Sequence, residues 1–230
     1  MNIYKIKMLV KRNKLVRFLL RTKMSRTFKE KATVLRAEGV KVISEVEKTL
    51  INQGYLYYAA CGTLLGIVRD NNFIKDDIDI DYCVVTTNDF DWIGFELNLN
   101  KNGFKKIRQF KVNGIIREQT YQNGQLTVDF FTLFKIDNQW YSYGFHRIDG
   151  YLYSNKNEFS IREVSFVPVE ETVRTFFNGI EVSIPRNFED VLVCYYGNSW
   201  KIPNPKWDDN SMERKNIRNL DILAEVQFFD

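Results

Sequence analysis

Carboxylates are the side chains in this sequence best placed to do chemistry, and the densest group lies in Phe73-Ile-Lys-Asp-Asp-Ile-Asp-Ile-Asp-Tyr82. Read as a strand, this stretch puts Asp77, Asp79 and Asp81 on one face and Ile78, Ile80 and Tyr82 on the other. Carboxylates spaced about 6–7 Å apart along one face repel and raise each other's pKa values. A hard divalent cation removes that cost, and oxygen donors are what Mg²⁺ takes, with Mn²⁺ content on the same set. The competing account is a solvated edge strand whose acids discourage edge-to-edge pairing. The apolar alternate face favours the metal. Asp129 adds a fourth acid inside Leu126-Thr-Val-Asp-Phe-Phe-Thr-Leu-Phe134. A lone carboxylate in an apolar strand is costly unless compensated, either by a metal on the neighbouring strand or by a hydrogen bond to backbone.

Upstream, Gly62-Thr63 falls between a strand-like and a helix-like stretch, where outward-pointing amides favour phosphate and glycine permits close approach. Arg69 follows at the far end of the short helix. It suits a phosphate oxygen, and a salt bridge to one of the aspartates is an equal alternative. The chain has a single histidine, His146, and three widely spaced cysteines, Cys61, Cys83 and Cys194. Histidine-based nucleophilic catalysis, a zinc site and a disulfide framework are therefore disfavoured, and a reducing cytoplasm is the default.

The elements that must position these residues form an α+β pattern. Thr27-Phe-Lys-Glu30 reads as a capping box opening a helix to Leu50, with Leu35, Val42, Ile43, Val46 and Leu50 as its buried stripe and Gly54 as its stop. Tyr55–Cys61 and Ile78–Val85 read as strands, and Thr87 or Asn88 as the cap of a helix ending near Asn100. Asn113-Gly114, Asn123-Gly124 and Asn178-Gly179 mark tight hairpins. Asn187 is placed to cap a short helix to Tyr196, and Ser211 a final helix to about Val226. The 15% aromatic content fits a strand-rich core or a sugar-handling surface, core packing being favoured.

Charge divides the chain. Residues 1–26 hold nine Lys/Arg and no acid, which against a whole-chain charge of +4 leaves the remainder at −5. An acidic body argues against nucleic acid as a partner. The arm also carries Ile6, Leu9, Val10, Val16, Leu19 and Leu20 at near-helical spacing, with no apolar run of spanning length and no signal-peptide pattern. It reads equally as an amphipathic helix on an anionic membrane face or as a solvated helix packed on the body or on another subunit. The organisation expected is an arm, 1–26, and one catalytic domain, 27–230.

Gly62-Thr-Leu-Leu-Gly-Ile-Val-Arg69, then Phe73-Ile74 and the alternating aspartates, resembles the signature of the LicD/fukutin-related family of the nucleotidyltransferase superfamily. Asp129 in Val-Asp-Phe-Phe matches its later acid. Pro185, Phe188-Glu189, Leu192, Tyr195-Tyr-Gly197, Trp200 and Pro203 follow its C-terminal pattern, so the likeness spans about residues 55–207. Lys75-Asp76 replaces the family's usual Pro-Trp, and Asp70 stands where a histidine is common; both departures fall at the mouth of the site. The resemblance implies a nucleotidyltransferase-like mixed sheet flanked by helices. It also implies transfer of a phospho-alcohol (phosphocholine, phosphoglycerol or phosphoribitol type) from a CDP-linked donor to a hydroxyl of a cell-surface glycan or glycolipid, with release of CMP. On that reading Asp77, Asp79, Asp81 and Asp129 hold Mg²⁺ and act in catalysis, Gly62, Thr63 and Arg69 bind the donor phosphates, and the arm keeps a cytoplasmic enzyme at the inner membrane face. Transfer of the nucleotide itself to a small-molecule hydroxyl and a non-catalytic module on the same fold are the alternatives.

Overall fold

The longest element is helix α1 (Lys14–Leu50), which buries Leu35, Val42, Ile43, Val46 and Leu50 against β5 and β9, defined below. The structure, a computed structural model, describes residues 14–75, 77–87, 89–148, 151–204 and 216–230, the side chains of residues 14–26 excepted. The first thirteen residues of the basic arm, the arm's remaining side chains, Asp76, Asn88 and Ser211 thus lie outside it. The helix runs through Thr27 without a break, so the capping signature there does not start it. Residues 14–26 are mostly Lys, Arg, Leu and Met with no Gly or Pro, and nothing in them ends a helix. Gly54, at φ 77°, follows the helix end.

Beyond α1 come β1 (Tyr57–Ala59), α2 (Cys61–Leu65, continued by a π-helical turn Gly66–Asp70), β2 (Ile80–Val85) and α3 (Trp92–Lys101). Strands β3 (Lys105–Val112), β4 (Ile115–Asn123), β5 (Leu126–Ile136), β6 (Gln139–His146) and β7 (Glu158–Phe166) follow. The hairpin β8 (Thr172–Phe177) and β9 (Ile180–Pro185), helix α4 (Phe188–Tyr196) and β10 (Ile217–Phe228) complete the order. Two expectations change. Helix α3 begins at Trp92, capped by Asp91, whose side chain accepts from the Gly94 amide. The C-terminal stretch read as a helix is strand β10. A register shift between Asn219 and Leu223 breaks its alternation, so Ile217, Leu220 and Leu223 fall at a spacing that mimics a helix face.

The main sheet has the order β1-β2-β5-β4-β3-β10-β7-β6, and the last three residues of β5 also pair with β6. Six strands therefore close into a ring, from which β2 and β1 extend beyond β5. The sheet is mixed, β2 lying parallel to β5 and the other pairs antiparallel. Phe110, Phe134, Tyr143, Ile161, Ala224 and Val226 form one apolar cluster among the ring's strands, where Phe110 and Phe145 stack at 4.4 Å. A larger core joins the sheet to the helices and to β9. Asn113-Gly114 and Asn178-Gly179 turn their hairpins with both residues at positive φ, as two-residue loops require.

Candidate active site

The route into the site begins where β1 ends. Ala60 donates its amide to the Asp81 carbonyl at 2.9 Å, and Cys61 then turns the chain through a left-handed φ of 45°, unusual for a side-chain-bearing residue. Gly62 follows. A β-carbon there would lie 2.4 Å from Asp77 Oδ2, so glycine is needed because a carboxylate packs on it. Thr63 is 2% exposed, and its Oγ1 accepts from the Asp81 amide at 2.9 Å. Both residues thus position the aspartates. Gly62 also faces the adjoining cleft, whereas Thr63 is not among the residues lining it.

The structure corrects the strand argument for the acids. Asp77 and Asp79 precede β2 and only Asp81 lies in it. The three gather because the loop from Asn71 is anchored at several points. Arg36 donates to the Lys75 carbonyl, the Asn72 side chain accepts from the Phe73 amide, and the Phe73 ring meets Phe177 edge-on at 5.3 Å. Phe73 also lies against Gly39, where a β-carbon would stand 2.5 Å from its Cζ. Asp81 pairs in register with Asp129 on the parallel strand β5, and Thr120 of β4 flanks Asp129 on the other side. They are 9% and 8% exposed.

Asp129 is not compensated through backbone. Its Oδ1 accepts from the Thr120 hydroxyl and, at 3.4 Å, from Arg108 Nη2. Arg108 also reaches Glu118 at 3.1 Å, so β3 and β4 contribute a cation and a further buried acid that the sequence did not single out. By alternation Glu118 shares a face with Thr120, which matters only once β4 is known to pair with β5. Burial pushes Asp77 up to about 6 and Asp79 to about 7, the latter helped by repulsion from Asp129 and Asp77. Burial, then Asp79, Asp77 and Asp129, holds Asp81 well above the carboxylate range. Burial also lifts Glu118, to about 8, and Asp129, although Arg108 opposes both. Lys31, on the exposed side of α1, is the other cation acting on Asp79 and Asp129.

A cleft of about 880 Å³ opens beside this group, the size of a small-molecule site. Asp77, Asp81 and Gly62 line it, and Tyr195, Tyr196 and Trp200 from α4 and the segment after it also face it. The sequence quoted those aromatics as part of a family pattern without assigning them to a site. Arg69 is on the cleft wall, but Asp70 already holds its guanidinium by two 2.8 Å hydrogen bonds, and its Nη1 donates to the Trp200 carbonyl at 3.4 Å. That pairing raises the pKa of Arg69 and lowers that of Asp70. The acid it pairs with is thus its neighbour and not one of the cluster.

The donors suit a hard cation. All are carboxylate oxygens, they repel one another in a desolvated place, and Asp77 Oδ2 is buried without a hydrogen-bond partner. The fit is one of chemistry and location. Among the described residues no three Asp, Glu, His or Cys side chains stand grouped to hold an ion, so binding one requires the carboxylates to draw together.

Comparison with known proteins adds the family. Residues 54–187 match the family described as LicD/FKTN/FKRP, nucleotidyltransferase domain. No curated protein matches the chain. The matched segment takes in Gly62, Thr63, all four aspartates, Arg108 and Glu118. The chain belongs to the LicD/FKTN/FKRP family of nucleotidyltransferase domains, a membership that points to a glycan-modifying transferase of the phosphotransferase type.

Proposed function

We propose that the chain transfers a phospho-alcohol from a CDP-linked donor to a hydroxyl of a cell-surface glycan, releasing CMP, on a nucleotidyltransferase-like fold. The observation that carries this reading is a set of four desolvated aspartates that raise one another's proton affinity, two of which, Asp77 with its unpartnered buried oxygen and Asp81, line a ligand-sized cleft. Asp77, Asp79, Asp81 and Asp129 would hold Mg²⁺ or Mn²⁺, which when bound neutralises diphosphate charge. The acceptor oxygen attacks the phosphorus bearing the alcohol. The bond from that phosphorus to the bridging oxygen breaks, and CMP leaves with the electron pair. The hydroxyl proton passes to a carboxylate, for which Asp129 is suited because burial raises its proton affinity while Thr120 and Arg108 hold its orientation. Arg69 would meet donor phosphate in exchange for part of its bond with Asp70, and the aromatic wall of Tyr195, Tyr196 and Trp200 would shield the reacting groups from water.

Incubation with CDP-choline, CDP-glycerol and CDP-ribitol, each with Mg²⁺ and candidate glycans, should release CMP from one donor and add the phospho-alcohol mass to the acceptor. Acceptor carrying the nucleotide mass instead would make this a nucleotidyltransferase. Asp79→Asn should abolish metal-dependent CMP release with the fold intact, and near-normal turnover in that variant would sink the metal assignment.

A further inference from the structure

Strand β6 sorts its side chains by size. Tyr141, Tyr143 and Phe145 take one side and pack into the apolar cluster of the ring, which leaves Ser142, Gly144 and His146 on the other. The pairing with β7 is unbroken there, Ser142 opposite Val164 and Gly144 opposite Arg162. Two small residues in succession on one side of a strand leave room, and a cavity of about 170 Å³ lies against them, walled also by Phe131 and Phe166. Phe131 follows Asp129 on the same face of β5, since the pairing of that strand with β2 and β4 runs through both residues without a shift. Cys61 and Tyr195 line this cavity and also the larger cleft that Asp77 and Asp81 face, so the two spaces share a wall. The Tyr195 ring is held edge-on against Phe166 at 4.9 Å.

The cavity has chemistry as well as room. Ser142 is 6% exposed and lines it, yet its hydroxyl meets no hydrogen-bond partner among the described residues. A hydroxyl so placed is costly until something bonds it. Arg162 and His146 also face the cavity, and no acid does. A quaternary ammonium would find aromatic rings there but no counter-charge, and a guanidinium opposing it. A hydroxylated chain finds the Ser142 hydroxyl, the donors of Arg162 and apolar ring faces. Size divides the two spaces. The cavity is below the roughly 300 Å³ at which whole ligands are housed, so it suits part of one, whereas the cleft of about 880 Å³ accommodates a nucleotide.

We propose that this cavity seats the alcohol portion of the donor and selects an uncharged polyol over a quaternary ammonium. The identity of the ligand rests on the transfer reading above. The nucleotide takes the larger cleft, the phosphorus under attack lies by the aspartates, and the alcohol passes Cys61 and Tyr195 to reach Ser142 and Arg162. Gly144 offers a variant that spares the fold. A β-carbon there meets nothing nearer than the Arg162 carbonyl at 3.9 Å, an ordinary contact, so a larger side chain enters the cavity without moving backbone.

The test is calorimetric titration of the full chain, with Mg²⁺, by ribitol phosphate, phosphocholine and CMP. Ribitol phosphate should bind about tenfold more tightly than phosphocholine. Gly144→Leu should weaken ribitol phosphate by about tenfold or more and keep the affinity for CMP. Ser142→Ala should weaken ribitol phosphate about fivefold, the worth of one hydrogen bond. The proposal is overturned if ribitol phosphate does not bind, if phosphocholine binds as tightly, or if Gly144→Leu leaves ribitol phosphate unaffected or weakens CMP equally. Binding is read without turnover, so the two readings fail separately. Ribitol phosphate binding that Gly144→Leu removes, with no CMP released from any donor, sinks transfer alone. Turnover of a CDP-polyol by Gly144→Leu with the parent's KM sinks the cavity alone.

Discussion

Asp77 lies so close to Gly62 that the two positions act as one feature: a β-carbon on Gly62 would stand 2.4 Å from Asp77 Oδ2. Gly62→Ala must displace that carboxylate, and a shift of about 1 Å in a reacting group is worth roughly 100-fold in rate. A loss of that order in kcat/KM with little change in Tm is expected, and unchanged turnover would remove Asp77 from the machinery. The same acids set a pH dependence. Burial lifts Asp77 to about 6 and Asp79 to about 7, so the folded chain keeps protons that the unfolded chain releases near pH 4. Their contribution to stability is complete below about pH 4 and is lost as pH rises through about 6 to 7. Thermal melting with a chelator present should therefore give a lower Tm at about pH 8 than at about pH 5, and added Mg²⁺ should narrow the difference. A Tm that rises across that interval would contradict the buried carboxylates.

Elements hold these residues through a second buried acid. Glu47 of α1 accepts from Tyr57 of β1 and Tyr82 of β2, each at 2.9 Å, from the Ser183 amide of β9 at 3.0 Å, and from Arg174 of β8. One carboxylate thus ties the helix to both strands that frame the site and to the small hairpin. Glu47→Ala takes this acceptor from all four donors, each buried or part-buried, and should destabilise the fold by about 3 kcal/mol, measurable by denaturant titration. A change below about 0.5 kcal/mol would mean the network is incidental. This network was not legible in the sequence, where Glu47 sits on an ordinary amphipathic helix.

At the scale of the molecule, β10 decides whether the ring closes. It pairs with β3 on one side and β7 on the other, and its removal would leave both with unpaired edges. Deleting residues 217–230 should convert the protein to aggregates on size exclusion, with loss of activity. A monomeric, active product would show that closure is dispensable. The closure also explains why the last element misled: β10 joins strands distant in sequence, and the register shift after Asn219 hides its alternation.

The sequence by itself determined the elements whose signals are local. It marked the Asn-Gly hairpins, the buried stripe of α1 and the family, because turn chemistry, helix periodicity and a gapless motif are all read over short stretches. Only the tertiary structure decided which groups surround those acids. Arg108, Glu118, Thr120 and Lys31 come from two strands and a helix that strand pairing and helix packing bring beside Asp129, and no spacing within one segment encodes such a meeting. It likewise decided that Asp77 and Asp79 approach Asp81 through a pinned loop. A strand would have placed all three carboxylates along one face, whereas only Asp81 stands in β2 and the other two precede it.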